Sequence, residues 1–316
     1  EISGETGLIY YIGFWLPSAV IGKIFGLRIG YYMQAVWALL GLVLIYYLIC
    51  CRYKQIKIWP VFILIFFSGW DIVGAYLTNM DYVNAVNPWH LEWLGNPYQF
   101  SSMTTQLFWV FNQALPVWLA TMMIYMQKNN RNRVFLLACS MLTSTLPFIG
   151  LLPITVFLCL LRKENSLENV ARTGGQYFKE LLKETCTIQN VFGGGLIGIL
   201  SFCYLSGNLS GAHVMEANTL GPDFDNSIAK YVLFLYKYQK DNLFYYLVVG
   251  CLLIIPWIKV GYSGDFCMRA SIPGLFLIMI WVIDAVQKAW KEKSYILFLA
   301  LILTLGIGSI TPIFEM

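Results

Sequence analysis

Charged residues make up only 12% of this 316-residue chain, and histidine occurs twice. A soluble domain carries roughly 25% charged residues to cover its surface, so the shortage excludes an ordinary soluble globular protein. The pattern G-x-x-x-x-G-K-[ST] is absent, which argues against an ATP-driven pump. None of the eight cysteines forms a C-x-x-C pair. Cys139, Cys159, Cys203 and Cys251 lie inside apolar runs, where cysteine acts as a small hydrophobe. Cys50 and Cys51 fall at a membrane edge. Short alternating segments are missing, so a β-barrel is excluded. His90 and Glu92 have no third ligand nearby, which excludes a zinc site. The net charge of +4 is spread over separate short loops and makes no basic patch for nucleic acid.

What the sequence has is hydrophobicity. Apolar residues reach 58% and aromatics 16%, the aromatics mostly at the ends of apolar runs, as in interfacial belts. Runs of about 18 residues or more recur, the length a helix needs to cross a bilayer. These features predict an all-α, polytopic transmembrane helix bundle, with residues 1–316 as one transmembrane domain of an integral membrane protein. The chain begins at Glu1 and stops at Met316 just past an apolar run. It therefore reads as a fragment, with an upstream helix and the first outer loop expected before it.

Basic residues orient the runs, because short cytoplasmic loops are enriched in Lys and Arg. Residues 6–25 read as an apolar helix bent at Pro17, either crossing or lying along the outer surface. Residues 29–50 cross to Arg52, Lys54 and Lys57; 58–79 return, carrying Asp71; 80–103 lie outside; 104–126 cross to Lys128, Arg131 and Arg133. Residues 134–161 are flanked by basic residues on both sides and interrupted by Pro147, Gly150 and Pro153. A bent or re-entrant helix pair satisfies both facts. Residues 162–189 read as a cytoplasmic amphipathic helix, with Tyr177, Phe178, Leu181 and Leu182 against Lys179, Glu180, Lys183 and Glu184. Residues 190–206 then cross outward to a loop holding Glu216, Asp223 and Asp225. Treating the short run 228–236 as a crossing places Lys237 and Lys288 to Lys293 in the cytoplasm, with Asp265 and Arg269 outside beside His90 and Glu92. Asp284 reads as a partner of Lys288.

The functional candidates cluster on the outer side. Asp71 is either a base or ligand-orienting group, or a residue near the interface bonded to Trp or Tyr donors. In an extended loop His90 and Glu92 share a face, and Trp89 and Trp93 suit stacking on a sugar ring or ordinary interfacial anchoring. Thr104, Thr105, Gln106, Asn112 and Gln113 line the first half of the next helix, where unpartnered polar groups cost a few kcal/mol each. They predict a wet helix mouth. Asp265 and Arg269 form either an i,i+4 pair or, through the planar guanidinium fork, a phosphate contact; both can hold together.

The stretches Tyr10-Tyr-Ile-Gly-Phe-Trp-Leu-Pro-Ser-Ala-Val-Ile-Gly-Lys23, His90-Leu-Glu-Trp93, Ser101-Ser-Met-Thr-Thr-Gln-Leu-Phe-Trp109 and Gly264-Asp-Phe-Cys-Met-Arg-Ala-Ser-Ile-Pro273 resemble bacterial multi-spanning proteins of the GT-C glycosyltransferase type. The resemblance implies a bacterial inner or plasma membrane enzyme. It would move a sugar from a polyprenyl-phosphate donor to a glycan, lipid or protein acceptor on the extracytoplasmic side. In that superfamily an acidic residue of the first outer loop commonly serves as base or metal ligand, and a divalent metal is compatible with the family. Only Glu1 and Glu5 are near that position here. On this reading Asp71 and Glu92 are the catalytic carboxylates, and His90, Trp93, Thr105, Gln106, Gln113, Asp265 and Arg269 bind substrate, with Arg269 at the phosphate. The main alternative is a polytopic transporter or lipid flippase, which would show broken helices repeated in both halves. A purely structural membrane subunit is a third.

Overall fold

The structure, a computed structural model, describes residues 10–78, 92, 99–161, 174–206, 215–217, 229–260 and 265–316. The apolar runs become helices because a helix satisfies its backbone N–H and C=O groups within the segment. In chain order these are α1 (Leu16–Phe25), α2 (Leu27–Tyr53), α3 (Trp59–Phe66), α4 (Asp71–Thr78), α5 (Met103–Trp109), α6 (Phe111–Met126), α7 (Arg133–Thr143), α8 (Thr145–Leu160), α9 (Gly174–Thr185) and α10 (Gly195–Ser206). They continue as α11 (Ala229–Gln239), α12 (Leu243–Ile254), α13 (Asp265–Ala270), α14 (Ile272–Lys291), α15 (Tyr295–Gly308) and α16 (Ile310–Glu315). A π turn, Gln189–Gly194, leads into α10. The sequence predicts no strand, yet two three-residue strands, β1 (Met215–Ala217) and β2 (Ile258–Val260), pair antiparallel with Met215 opposite Val260.

Among the described residues three helices are long and apolar enough to cross a membrane, Leu27–Tyr53, Ile272–Lys291 and Tyr295–Glu315, or four if the bent pair Gly175–Thr185 and Gln189–Ser206 is one span. Their packing differs. The span of α14 is 83% buried, whereas those of α2 and α15–α16 are 28% and 33% buried. α14 is therefore the axis, packed by Trp118 of α6 through Phe276 and by Tyr125 through Trp281. α2, α10 with the π turn before it, and α15 form the periphery and turn Leu27, Tyr31, Leu39, Phe192, Leu196, Ile296 and Leu303 outward.

Contacts between distant residues define two ends. At one, Arg52 meets Asp284, Lys237 meets Ser294, Tyr238 meets Glu292, and Arg133 meets the Leu158 carbonyl. This basic end also holds Lys54, Lys57, Lys128, Arg131, Lys288, Lys291 and Lys293. At the opposite, far end α1 turns into α2 at Gly26, whose φ of 97° suits glycine alone. Arg269 and the β1–β2 ladder belong to that half as well. α11 runs toward the basic end and α12 runs back, so Asp265 and Arg269 are separated from Lys288 to Lys293 by the length of α14.

Several local expectations are corrected. Pro17 does not bend a helix; it occupies the first turn of α1, where its missing N–H is harmless. The run 134–161 does fold back on itself, since Arg133 and Asn130 reach the carbonyls of Leu158 and Cys159. Its break falls at Ser144, before the prolines. Pro147 sits in the first turn of α8 and Pro153 inside it, while Gly150 is set by packing: a Cβ there would lie 1.8 Å from the Ala270 carbonyl oxygen. The amphipathic helix α9 meets the following helical stretch, Gln189–Ser206, at 68°.

Asp284 does not serve Lys288. Its carboxylate receives Arg52 at 2.6 Å and the Tyr53 hydroxyl at 2.8 Å, and the guanidinium lies 5.0 Å from the Tyr125 ring centroid. Asp284→Ala would strand the guanidinium. With the two side chains 27% and 16% exposed, the expected loss is about 1–3 kcal/mol, below the ~3–5 of a fully buried pair. Thermal unfolding in detergent reads this, and Arg52→Met with Asp284→Leu should recover part of it. An unchanged melting temperature in Asp284→Ala would show that the pair holds nothing.

Candidate functional site

The polar groups of the far half are set by helix breaks. Residues 104–126 do not form one rod: Val110 leaves helical geometry, with φ −138° and ψ 34°, and separates α5 from α6. The Trp118 indole N–H donates to Gln106 Oε1 at 3.1 Å. Along a straight helix twelve residues span about 18 Å, so the chain must bend between α5 and α6. Trp118 is the eighth of the sixteen residues of α6. Gln106 therefore lies at mid-height in the bundle, not at its mouth.

The same level gathers other helix ends. α3 stops at Phe66 and α4 starts at Asp71; the Phe67 carbonyl accepts from the Met103 amide at 3.2 Å, and the Thr104 hydroxyl reaches the Ile65 carbonyl. The joint between α15 and α16 closes over this point, where Gly308 packs on the Ser68 carbonyl. Tyr231 of α11 donates to that carbonyl at 3.0 Å. The result is a polar floor halfway through the bundle, made by the ends of α3, α4, α5 and α16.

Asp71 and Glu92 both stand on it. Asp71, 9% exposed, opens α4, where a carboxylate complements the helix dipole. Its Oδ2 accepts from Ser68 Oγ at 3.1 Å and Thr311 Oγ1 at 3.2 Å. Lys230 places its ammonium 3.5 Å from the centroid of the Trp70 ring beside it. Glu92 is 3% exposed. Its Oε1 accepts from the Ser102 amide at 2.8 Å and Thr105 Oγ1 at 2.7 Å, and its Oε2 accepts from Gln99 Nε2 at 3.0 Å. Ser102 caps α5 by accepting from the Thr105 amide at 3.0 Å.

The residues expected to form a wet mouth are buried and mostly partnered inside the protein. Thr105 serves Glu92, and Gln106 donates to the Ser101 carbonyl at 2.8 Å while accepting from Trp118. Gln113 is 1% exposed; its backbone carbonyl accepts from Ser144 Oγ at 3.0 Å, and its Oε1 has no partner among the described residues. His90 and Trp93 lie outside the described residues.

Asp265 and Arg269 form the i,i+4 pair at 3.1 Å. Arg269 also donates to the Tyr11 hydroxyl at 2.8 Å, and its Nε has no partner among the described residues. Asp265 is 48% exposed and Arg269 15%, so the aspartate fixes the guanidinium's direction from its solvent side. Phe14 and Trp15 pack edge-on against Phe111, and the Gly13 amide donates to the Leu142 carbonyl. The N-terminal segment thereby ties Arg269 to the start of α6 and the tip of the α7–α8 pair. Among the described residues no three His, Cys, Asp or Glu side chains converge as a metal site.

Ser68, Tyr231, Thr311 and Tyr11 are absent from the candidates that the sequence offers. Tyr231, Thr311 and Tyr11 act across long sequence separations, and nothing local marks them; Ser68 lies only three residues from the Asp71 it serves. Ser102 carried a readable signal, a cap residue directly before the apolar run with Thr105 three residues on. No protein-family model matches the chain, and no curated protein or solved structure matches it.

Proposed function

We propose that this chain is a membrane glycosyltransferase that moves a sugar from a polyprenyl-phosphate donor to an acceptor hydroxyl on the extracytoplasmic side. The apolar faces of α2, α10 and α15 lie in lipid, the basic end faces the cytoplasm under the positive-inside rule, and the far half opens outward. α7 and α8 form a re-entrant pair, and α9 rests on the cytoplasmic surface. The observation that carries the reading is Arg269: a guanidinium aimed by Tyr11 and Asp265 in the half opposite the basic loops.

In the reaction Asp71 accepts the proton of the acceptor hydroxyl, and that oxygen attacks the anomeric carbon. The bond from this carbon to the phosphate oxygen breaks, and the polyprenyl phosphate departs with its negative charge held by Arg269. His90 and Trp93, carried on the segment before α5, supply contacts to the sugar. Thr105, Gln106 and Gln113 shape the floor from within.

Membranes carrying the protein should transfer label from radiolabelled polyprenyl-phosphate sugars. Loss of one charge-stabilising donor costs about 10²–10³ in rate, and Arg269→Ala should fall in that range while Arg269→Lys retains part of the activity. Equal transfer by Arg269→Ala would remove the phosphate site. The helix breaks at mid-height, with buried polar groups on their ends, favour transport as the second reading. Vesicles that move an unmodified solute and form no labelled product would establish it.

A further inference from the structure

The geometry points to a second ligand site, at the basic end: a seat for the phosphate of an anionic phospholipid between Lys57 and Lys291. Gln287 of α14 turns its side-chain oxygen to both lysines, accepting from Lys57 Nζ at 3.2 Å and from Lys291 Nζ at 3.1 Å. Sharing one oxygen, the two nitrogens can be no further apart than these distances end to end, about 6.3 Å. Ammoniums that close repel each other unless a negative charge joins them. Neither lysine has an ion pair among the described residues. Asp284, one turn back along α14, has both oxygens engaged, by Arg52 and by the Tyr53 hydroxyl. Glu292, next in sequence to Lys291, accepts from the Tyr238 hydroxyl at 2.9 Å.

Lys57 is held in place through its backbone. Its carbonyl accepts from the Tyr46 hydroxyl at 3.1 Å, and its ammonium stands 5.6 Å from the centroid of the Tyr53 ring. Lys288 is not part of the seat, since its ammonium is turned to the Tyr238 ring at 5.5 Å. A phosphate fits the remaining pair: a bond of about 2.8 Å from each ammonium to its oxygens spans the gap. The surroundings select a lipid over a dissolved ion. α2 ends at Tyr53 and α14 at Lys291, so the pair is level with the ends of two helices long enough to cross a membrane. Ile56 and Ile58, on either side of Lys57, are exposed. Lipid covers such side chains beside a phosphate, whereas a free ion leaves them in water. Basic pockets between helices at a membrane face bind anionic headgroups by the same combination. The seat does not depend on the glycosyltransferase reading, whose groups lie at mid-height and in the far half.

The test titrates the purified full chain in detergent with dimyristoyl phosphatidylglycerol or dimyristoyl phosphatidylcholine and counts bound lipid by native mass spectrometry. Phosphatidylglycerol should bind the parent about thirtyfold more tightly than the double variant Lys57→Gln, Lys291→Gln, the loss expected for two lysines at a headgroup. Phosphatidylcholine carries a cation beside its phosphate and should bind both proteins within about threefold of each other. The control, Lys54→Gln with Lys293→Gln, removes the same charge from the same end and should keep the parent's affinity. Equal phosphatidylglycerol affinity in the parent and the Lys57, Lys291 variant would overturn the seat. Equal loss in the two double variants would overturn it as well, by reducing it to general surface charge. Displacement of the lipid by millimolar inorganic phosphate would give the pair to a dissolved ion instead. Should the double variant fail to fold, Lys57→Gln and Lys291→Gln singly should each cost about fivefold, and two unchanged single variants would sink the proposal. Absence of sugar transfer by the parent bears on the glycosyltransferase reading alone.

Discussion

Asp71→Asn is expected to slow sugar transfer by about 10²–10⁴-fold, the range lost when a general base is removed, with a melting temperature close to that of the parent. The substitution is nearly isosteric. An asparagine carbonyl can accept from Ser68 and Thr311 as the carboxylate does, so the joint between α4 and α16 keeps its bonds. The amide cannot take up a proton at neutral pH, and the loss should appear in kcat more than in KM. Thr311→Val is the informative companion, because it removes one of the two hydroxyl donors while leaving the carboxylate in place. Its effect on rate should be far smaller. Full transfer by Asp71→Asn would remove Asp71 as the base.

Gly150→Ala should be the most damaging change to the fold. An added Cβ would stand 1.8 Å from the Ala270 carbonyl oxygen and 2.8 Å from its carbon. Both are backbone atoms, so no side chain can rotate away. α8 and α13 must separate, and overpacking against rigid backbone costs about 3 kcal/mol or more. The damage is also functional, since α13 carries Arg269 one residue before the clash. Protein that still folds should melt lower and transfer sugar poorly. Gly250→Ala in α12, which meets nothing within 4 Å, is the control and should behave as the parent. Equal melting of the two variants would show that α8 and α13 do not approach as closely as described.

These two positions differ in how they are read from sequence. Asp71 stands out because a carboxylate in an apolar run costs at least about 2.5–3.5 kcal/mol and so calls for a reason. Gly150 looks like one of several helix interrupters beside Pro147 and Pro153, and its actual role, contact with α13 more than a hundred residues later, has no local trace. Thr104 to Gln106 show the same limit. Their polarity is correctly read as unsuited to lipid, but the partners that satisfy them are Ile65, Glu92, Ser101 and Trp118. Similarly, Asp284 is near Lys288 in sequence and is taken in the fold by Arg52 from α2.

Composition and the spacing of apolar runs are local properties, and they determined the helical class, the positions of the long helices and the amphipathic character of α9. The basic loops also marked helix ends that lie together, since Arg52 of α2 meets Asp284 and Lys237 lies against Ser294. Tertiary packing alone decided where helices break and what their ends meet. The bend at Val110, the turn at Ser144 and the floor that holds Asp71 and Glu92 depend on donors and acceptors supplied from distant helices. A buried polar group must find a partner wherever the fold brings one, and that choice is made in three dimensions.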